Sequence, residues 1–259
     1  MERARSPEDL RAWVLRKSRE LAASPESKTF ARSGATLPKK FHDEIYPLSV
    51  FALREYGGQA NVLVQPNLGN DNFDAKVTVT KASGTQTAFI EITYAKNGYD
   101  ESLRMEVLAK EGGVVLTGPI TKSGRRGSPN RTVTVTPEAA SHTKTLEDYL
   151  KLVEARVQAK ARGRYGRNHI LLVAVDDYRP LVQDSDWPLV DERARSLIST
   201  LSLDFGRVVY VGVAGRLLLS YTCHRERRQM CSNRAPDRDG REAAHFGQTS
   251  SAPARGRER

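Results

Sequence analysis

Cysteine is scarce: the 259 residues hold two, Cys223 and Cys231, both near the C-terminal end. No disulfide framework is expected, so the core must hold without covalent staples. Long hydrophobic runs are missing too. None approaches the roughly 18 residues that span a bilayer, and residues 1–7 are not followed by an apolar stretch of the signal-peptide kind. A cytoplasmic protein with no membrane partner is the expectation. The chain has no Ser/His/Asp order, no phosphate-binding glycine loop, no redox CxxC pair and no internal repeat. Cys223, His224, Cys231 and His245 lack the close cysteine pair of structural zinc sites, so zinc is not expected.

Positive charge is abundant. The formal net charge is +10, and 39% of residues are hydrophobic, enough for a core if the chain ends are left out. A basic balance favours polyanionic partners, nucleic acid first among them. The plainer reading is a basic tail on an ordinary soluble domain. Residues 222–259 are rich in Arg, Asp, Gly, Pro and Ser and nearly free of aliphatics, which predicts a basic disordered tail.

The remaining pattern predicts an α/β fold. Ser6-Pro7-Glu8-Asp9 starts a helix, with a serine cap, an early proline and acids at the positive end. Residues 24–39 read as a polar linker, giving an N-terminal helix-and-linker segment over 1–39. Phe41, Ile45, Leu48, Ala52 and Tyr56 follow helical spacing, with Pro47 expected to kink the helix or shift its start and a stop at Gly57-Gly58. A short strand over 60–65 and a hairpin of 73–80 with 85–95 follow. Next come a short helix over 100–110 and a second hairpin of 114–120 with 131–136. A long amphipathic helix over about 146–162, a buried strand over 170–175, a helix over 189–203 and strands over 208–213 and 217–221 complete a core running from 40 to 221.

The first hairpin concentrates the chemistry. Asp74, Lys76 and Thr78 share one face of its first strand; Glu91 and Thr93 share one face of the second. If Ser83-Gly84 is the two-residue turn, Lys76 stands opposite Glu91 and Asp74 opposite Thr93. Opposite Cβ atoms are about 5 Å apart and diagonal ones about 7 Å, so Asp74 and Glu91 come within reach of one metal ion. Paired carboxylates suit Mg²⁺ or Mn²⁺, hard ions that prefer oxygen. The plain alternative is a polar outer face, with Lys76–Glu91 a surface ion pair worth under about 1 kcal/mol.

Order and spacing resemble the PD-(D/E)XK superfamily, whose restriction-endonuclease-like fold is a central mixed β-sheet flanked by helices. The residues that carry the resemblance are a helix over 40–56 bearing Glu44, then Asp74 on one hairpin strand and Glu91-Ile92-Thr93 on the next. The helix around 153–165 and the strand 170–175 correspond to the helix–strand unit that completes such cores. The resemblance covers about residues 40–213 and implies a metal-dependent nuclease acting on DNA. Asp74 and Glu91 would be metal ligands, with Glu44 beside them. Thr93 stands where the family usually has lysine. Members of the superfamily relocate that lysine, and Lys76 is the expected replacement. A second reading is a catalytically inactive module of this fold that docks nucleic acid or a protein partner.

Two further basic groups bear on DNA. Lys122, Arg125, Arg126 and Arg131 cluster in the second hairpin's loop, and Lys160 lies among the basic residues of the long helix. Both sets are expected to contact phosphates. A solvated hairpin tip and a dipole-compensated helix end are the plainer alternatives.

Overall fold

The structure is a computed structural model and describes residues 1–32, 36–113, 118–125, 128–178 and 183–223. Ser6 caps α1 (Pro7–Ala23), its Oγ accepting from the Asp9 N–H at 3.1 Å. Leu10 and Val14 on this helix are fully buried in the main core. Just before it, Arg5 exchanges backbone hydrogen bonds of 3.0 and 2.8 Å with Val64, which covers an otherwise open sheet edge.

The segment expected as a linker is instead helical, carrying α2 (Pro25–Arg32) and α3 (Thr36–Lys40). Ser24-Pro25-Glu26 repeats the logic of Ser6-Pro7-Glu8, and Ser24 Oγ accepts from the Ser27 N–H at 3.1 Å. A π-helical turn, Phe41–Ile45, then leads into α4 (Tyr46–Tyr56). The α-helix therefore starts one residue before Pro47, which sits in its first turn. Proline has no N–H and its ring crowds the carbonyl four residues back. The turn ahead of it widens, and the Tyr46 N–H returns to the Phe41 carbonyl. The helix stops at Gly57, where a Cβ would stand 2.4 Å from the Leu53 carbonyl oxygen.

Six strands form the main sheet: β1 (Val62–Pro66), β2 (Ala75–Lys81), β3 (Gly84–Tyr94), β6 (Gly166–Val175), β7 (Phe205–Gly212) and β8 (Leu218–Thr222), in the order β1-β2-β3-β6-β7-β8. The β3–β6 and β6–β7 pairs are parallel and the rest antiparallel, so the sheet is mixed. Between β3 and β6 the chain forms α5 (Gly98–Glu111), a separate ribbon of β4 (Ile120–Ser123) and β5 (Thr132–Val135), and α6 (His142–Lys160). A single 3-10 turn, Asp184–Asp186, precedes α7 (Trp187–Thr200). The expected strand over 114–120 reduces to one beginning at Ile120, with 114–117 outside the described residues. The long helix starts earlier than expected, at a Ser141 cap accepting from the Lys144 N–H at 3.2 Å.

The sheet separates two apolar layers. One holds Leu10, Phe41, Leu48 and Phe51 against Val64, Val77, Ile90 and Leu172; the other packs α6 and α7 on Leu171, Val173, Val208 and Tyr210. The Ile170–Val175 stretch of β6 feeds both, which explains its unbroken apolar run.

The hairpin register differs from expectation by one turn position. Lys81 pairs with Gly84 (φ 123°), so Ala82-Ser83 is the turn, and Lys76 stands opposite Phe89 rather than Glu91. The faces survive because the slip moves the partner strand by two residues. The start of the expected tail is also ordered: Thr222 closes β8 opposite Arg207. Residues 224–259, with His224, Cys231 and His245, lie outside the described residues. Among the described residues no helix is long and apolar enough to cross a membrane.

Candidate active site

Four elements deliver charged side chains to one end of the hairpin. Glu44 comes from the π turn, Asp74 from just before β2, Glu91 from β3 and Lys160 from the last position of α6. Because Ala75 pairs with Ile90, Asp74 continues the ladder opposite Glu91. The Asp74 N–H donates to the Ile90 carbonyl at 2.8 Å. Its carboxylate then replaces a backbone acceptor: the Ile92 N–H donates to Asp74 Oδ2 at 2.7 Å. This fixes the carboxylate against β3.

Glu91 is 9% exposed and accepts a hydrogen bond from the Lys160 ammonium. The contact brings α6 down onto the strand. Burial works to lower the Lys160 pKa, but the hydrogen bond and charge of Glu91 outweigh it and hold the ammonium above its ordinary value.

The acids show the opposite strain. Burial pushes the Glu44 carboxyl up to about 7, and the Asp74 charge adds to this while Lys40 opposes it. Asp74 is also raised, by burial first, against the restraining Ile92 hydrogen bond and with help from Glu91. Glu44 Oε2 is buried with no hydrogen-bond partner among the described residues. Lys40 is turned partly aside, its ammonium donating to the Leu68 and Gly69 carbonyls at 3.2 and 3.4 Å. Lys96 pairs with Asp43, the neighbour of Glu44. The cluster is therefore richer in carboxylates than in cations that neutralise them.

Tyr165 borders the cluster. Its ring stacks on Phe205 at 4.3 Å and 23°, and its N–H donates to Asp204 Oδ2 at 3.0 Å. It also lies over Gly163, where a Cβ would stand 2.3 Å from Cε2 and 3.0 Å from the hydroxyl oxygen. Burial raises the Tyr165 pKa, and the Glu91 charge raises it further.

The expected site residues thus divide. Glu44, Asp74 and Glu91 sense one another at one place. Lys76 faces the same side of the sheet as Glu91 but is opposite Phe89, and the ammonium that touches Glu91 belongs to Lys160. Thr93 is half-buried two positions beyond Glu91, beside Val173 of β6. Lys122, Arg125 and Arg131 gather on the β4–β5 ribbon beside α5, and Arg126 lies outside the described residues.

Sequence reasoning assigned Lys160 to phosphate contact and passed over Lys40 and Tyr165. The Lys160 signal was present. Val153, Val157 and Lys160 follow one another at helical spacing, so this lysine falls on the stripe that packs against the sheet. Among the described residues, no three His, Cys, Asp or Glu side chains are grouped so as to enclose a metal ion. No family model, no curated protein and no solved structure matches this chain.

Proposed function

We propose that this chain is a divalent-metal-dependent nuclease that hydrolyses phosphodiester bonds in DNA, on a core of the restriction-endonuclease-like kind. The observation that carries the reading is the convergence of Glu44, Asp74 and Glu91 with Lys160. The order of the elements supports it: a helix bearing Glu44, a hairpin bearing Asp74 and Glu91, then a helix and parallel strands.

The donor atoms suit Mg²⁺ or Mn²⁺, although no three of the described His, Cys, Asp or Glu side chains already enclose an ion. All three acids offer oxygen, the donor these ions prefer. Glu44 has an unpartnered buried oxygen, and burial first, then the neighbouring carboxylates, holds both Glu44 and Asp74 above their ordinary pKa. Asp74 and Glu91 would hold the ion, with Glu44 orienting it. When bound, the ion would polarise the phosphodiester and lower the pKa of an attacking water.

The chain's own residues do the rest. The Ile92 N–H holds the Asp74 carboxylate in place, so little reorganisation is needed when substrate arrives. Lys160 supplies the fixed positive charge beside Glu91, where the scissile phosphate gains negative charge in the transition state. It takes the role that the resemblance assigns to the lysine replaced by Thr93. Lys40 adds a second, more distant positive charge felt by both Glu44 and Asp74.

The second reading is a module of the same fold that binds DNA or a protein partner without cutting. Thr93 and the lack of a preformed three-ligand cage among the described residues favour it. Calorimetric titration with Mn²⁺ separates the two. The nuclease reading expects saturable binding that Asp74→Asn and Glu91→Gln each weaken at least tenfold. Wild-type protein that takes up no Mn²⁺ in the presence or absence of DNA contradicts it.

A further inference from the structure

A second candidate site lies between α5 and the β4–β5 ribbon. It is a cavity of about 470 Å³ lined by Tyr99, Ser102 and Glu106 from α5 and by Lys122, Arg125 and Arg131 from the ribbon. Arg131 donates to both oxygens of Glu106, at 2.6 and 2.9 Å, and so is neutralised. Lys122 and Arg125 remain as positive charge in the lining. Tyr99 is 51% exposed, and the Lys122 ammonium stands over its ring, 4.6 Å from the centre. Gly124, at φ 74°, lets the ribbon fold back with its Cβ position 3.0 Å from the Asn130 carbonyl oxygen, which keeps Arg125 and Arg131 at the same rim.

A half-exposed aromatic ring with one cation over it and a second in the same lining is chemistry that receives one nucleotide, the base taking the ring as the phosphate draws Lys122 aside. A base paired within a duplex keeps its faces stacked on its neighbours and cannot lie on Tyr99. The cavity is also tied to the acidic cluster. Tyr99 lies eight positions after Glu91, a reach of at most about 29 Å, or about eight nucleotides along a duplex. Between them Lys96 is anchored to Asp43, next to Glu44.

We infer that the Tyr99 cavity binds an unpaired nucleotide of the DNA strand, so that the preferred substrate carries a single-stranded end or gap close to the cleavage point. The inference rests on the nuclease reading for the identity of the strand, but the cavity can be tested without cleavage. Fluorescence anisotropy in EDTA compares three ligands: a blunt duplex, the same duplex with a five-nucleotide single-stranded end, and that end made abasic. The expected order is tightest binding to the intact end, with the abasic end and the blunt duplex both weaker. Tyr99→Ala should remove the preference, a loss of about fivefold to a hundredfold on the intact end alone. Tyr99→Phe should keep it, and Lys122→Gln should weaken both single-stranded ligands with a smaller salt dependence. Since Tyr99 and Lys122 are both exposed, none of the three substitutions threatens the fold, and circular dichroism checks this.

Equal affinity for blunt and single-stranded ends, or a preference that survives Tyr99→Ala, overturns the inference. So does equal competition by free dTMP at the same nucleotide concentration, which would make the cavity a mononucleotide site. Metal-dependent cleavage is scored separately, on the blunt duplex and on the duplex with the single-stranded end. Cleavage with no Tyr99 dependence in binding removes the cavity and leaves the nuclease. Tyr99-dependent binding with no cleavage removes the nuclease and leaves a single-strand site.

Discussion

Lys160, the last residue of α6, donates a hydrogen bond to Glu91 on β3 across 69 positions of sequence. That one contact joins the long helix to the hairpin and puts a cation where the hairpin's own Glu-x-Thr sequence has none. Its removal should be far more damaging than removal of Lys76. Lys160→Ala is expected to lower single-turnover cleavage by about a hundredfold to a thousandfold, the usual cost of a lost electrostatic contact to a transition state. Lys76→Ala should stay within about threefold of wild type, as expected for a charge outside the contact. Equal losses in the two variants would contradict the assignment.

Thr93 offers a complementary test. It lies on the same face of β3 as Glu91, so a lysine there approaches the same carboxylate. In the Lys160→Ala background, Thr93→Lys is expected to restore cleavage at least tenfold. In the wild-type background it should not help, because two ammonium groups would compete for Glu91. A gain in both backgrounds would show that Lys160 is not the working lysine.

Glu44 predicts the pH dependence of stability in metal-free buffer. Its carboxyl is ordinary at 4.5 in the unfolded chain and about 7 in the folded protein. Between those values the folded state binds more protons, so this group makes stability fall as pH rises. Its penalty is absent below about pH 4.5 and complete above about 7. Glu44→Gln should therefore leave the melting temperature unchanged at pH 4.5 and raise it at pH 8. Each kcal/mol relieved corresponds to about 2–4 °C in a domain of this size. Differential scanning calorimetry in EDTA at both pH values checks the sign; a gain only at low pH would reverse the account.

Much of the fold was legible because its signals are local. The Val/Ile/Thr alternation of β2 and β3, the apolar run of β6 and the capping serine at 6 each act within a few residues. The Ser24 cap was equally local, but it was hidden by a polar segment that resembled a linker. The hairpin register hung on whether Gly84 sat in the turn or paired with Lys81, a choice that strand propensity does not decide. Glu44, Asp74 and Glu91 could be named from order and spacing. Lys160 showed only its place on the buried stripe of α6; its pairing with Glu91, and the position of Tyr165, depend on where α6 and the turn after it dock on a sheet built from distant sequence.

Gly163 is the packing test of that docking. A Cβ there would fall 2.3 and 2.8 Å from the Tyr165 ring atoms Cε2 and Cζ, and the ring is held in a stack on Phe205 at 4.3 Å. Gly163→Ala is expected to cost about 1–3 kcal/mol through overpacking. The double variant with Tyr165→Ala should recover most of that, because the clash is removed. Urea unfolding of the two single variants and the double variant measures the coupling. Additive losses would place the Tyr165 ring elsewhere.

The most direct measurement is single-turnover cleavage of an end-labelled DNA duplex bearing a single-stranded end, with Mg²⁺ or Mn²⁺ and with EDTA. Wild type is expected to cut with either metal and not in EDTA, while Asp74→Asn and Glu91→Gln, both folded by circular dichroism, lose at least a hundredfold. A wild type that cuts with neither metal, or a Glu91→Gln protein that cuts as fast as wild type, would contradict the assignment of this cluster as a nuclease active site.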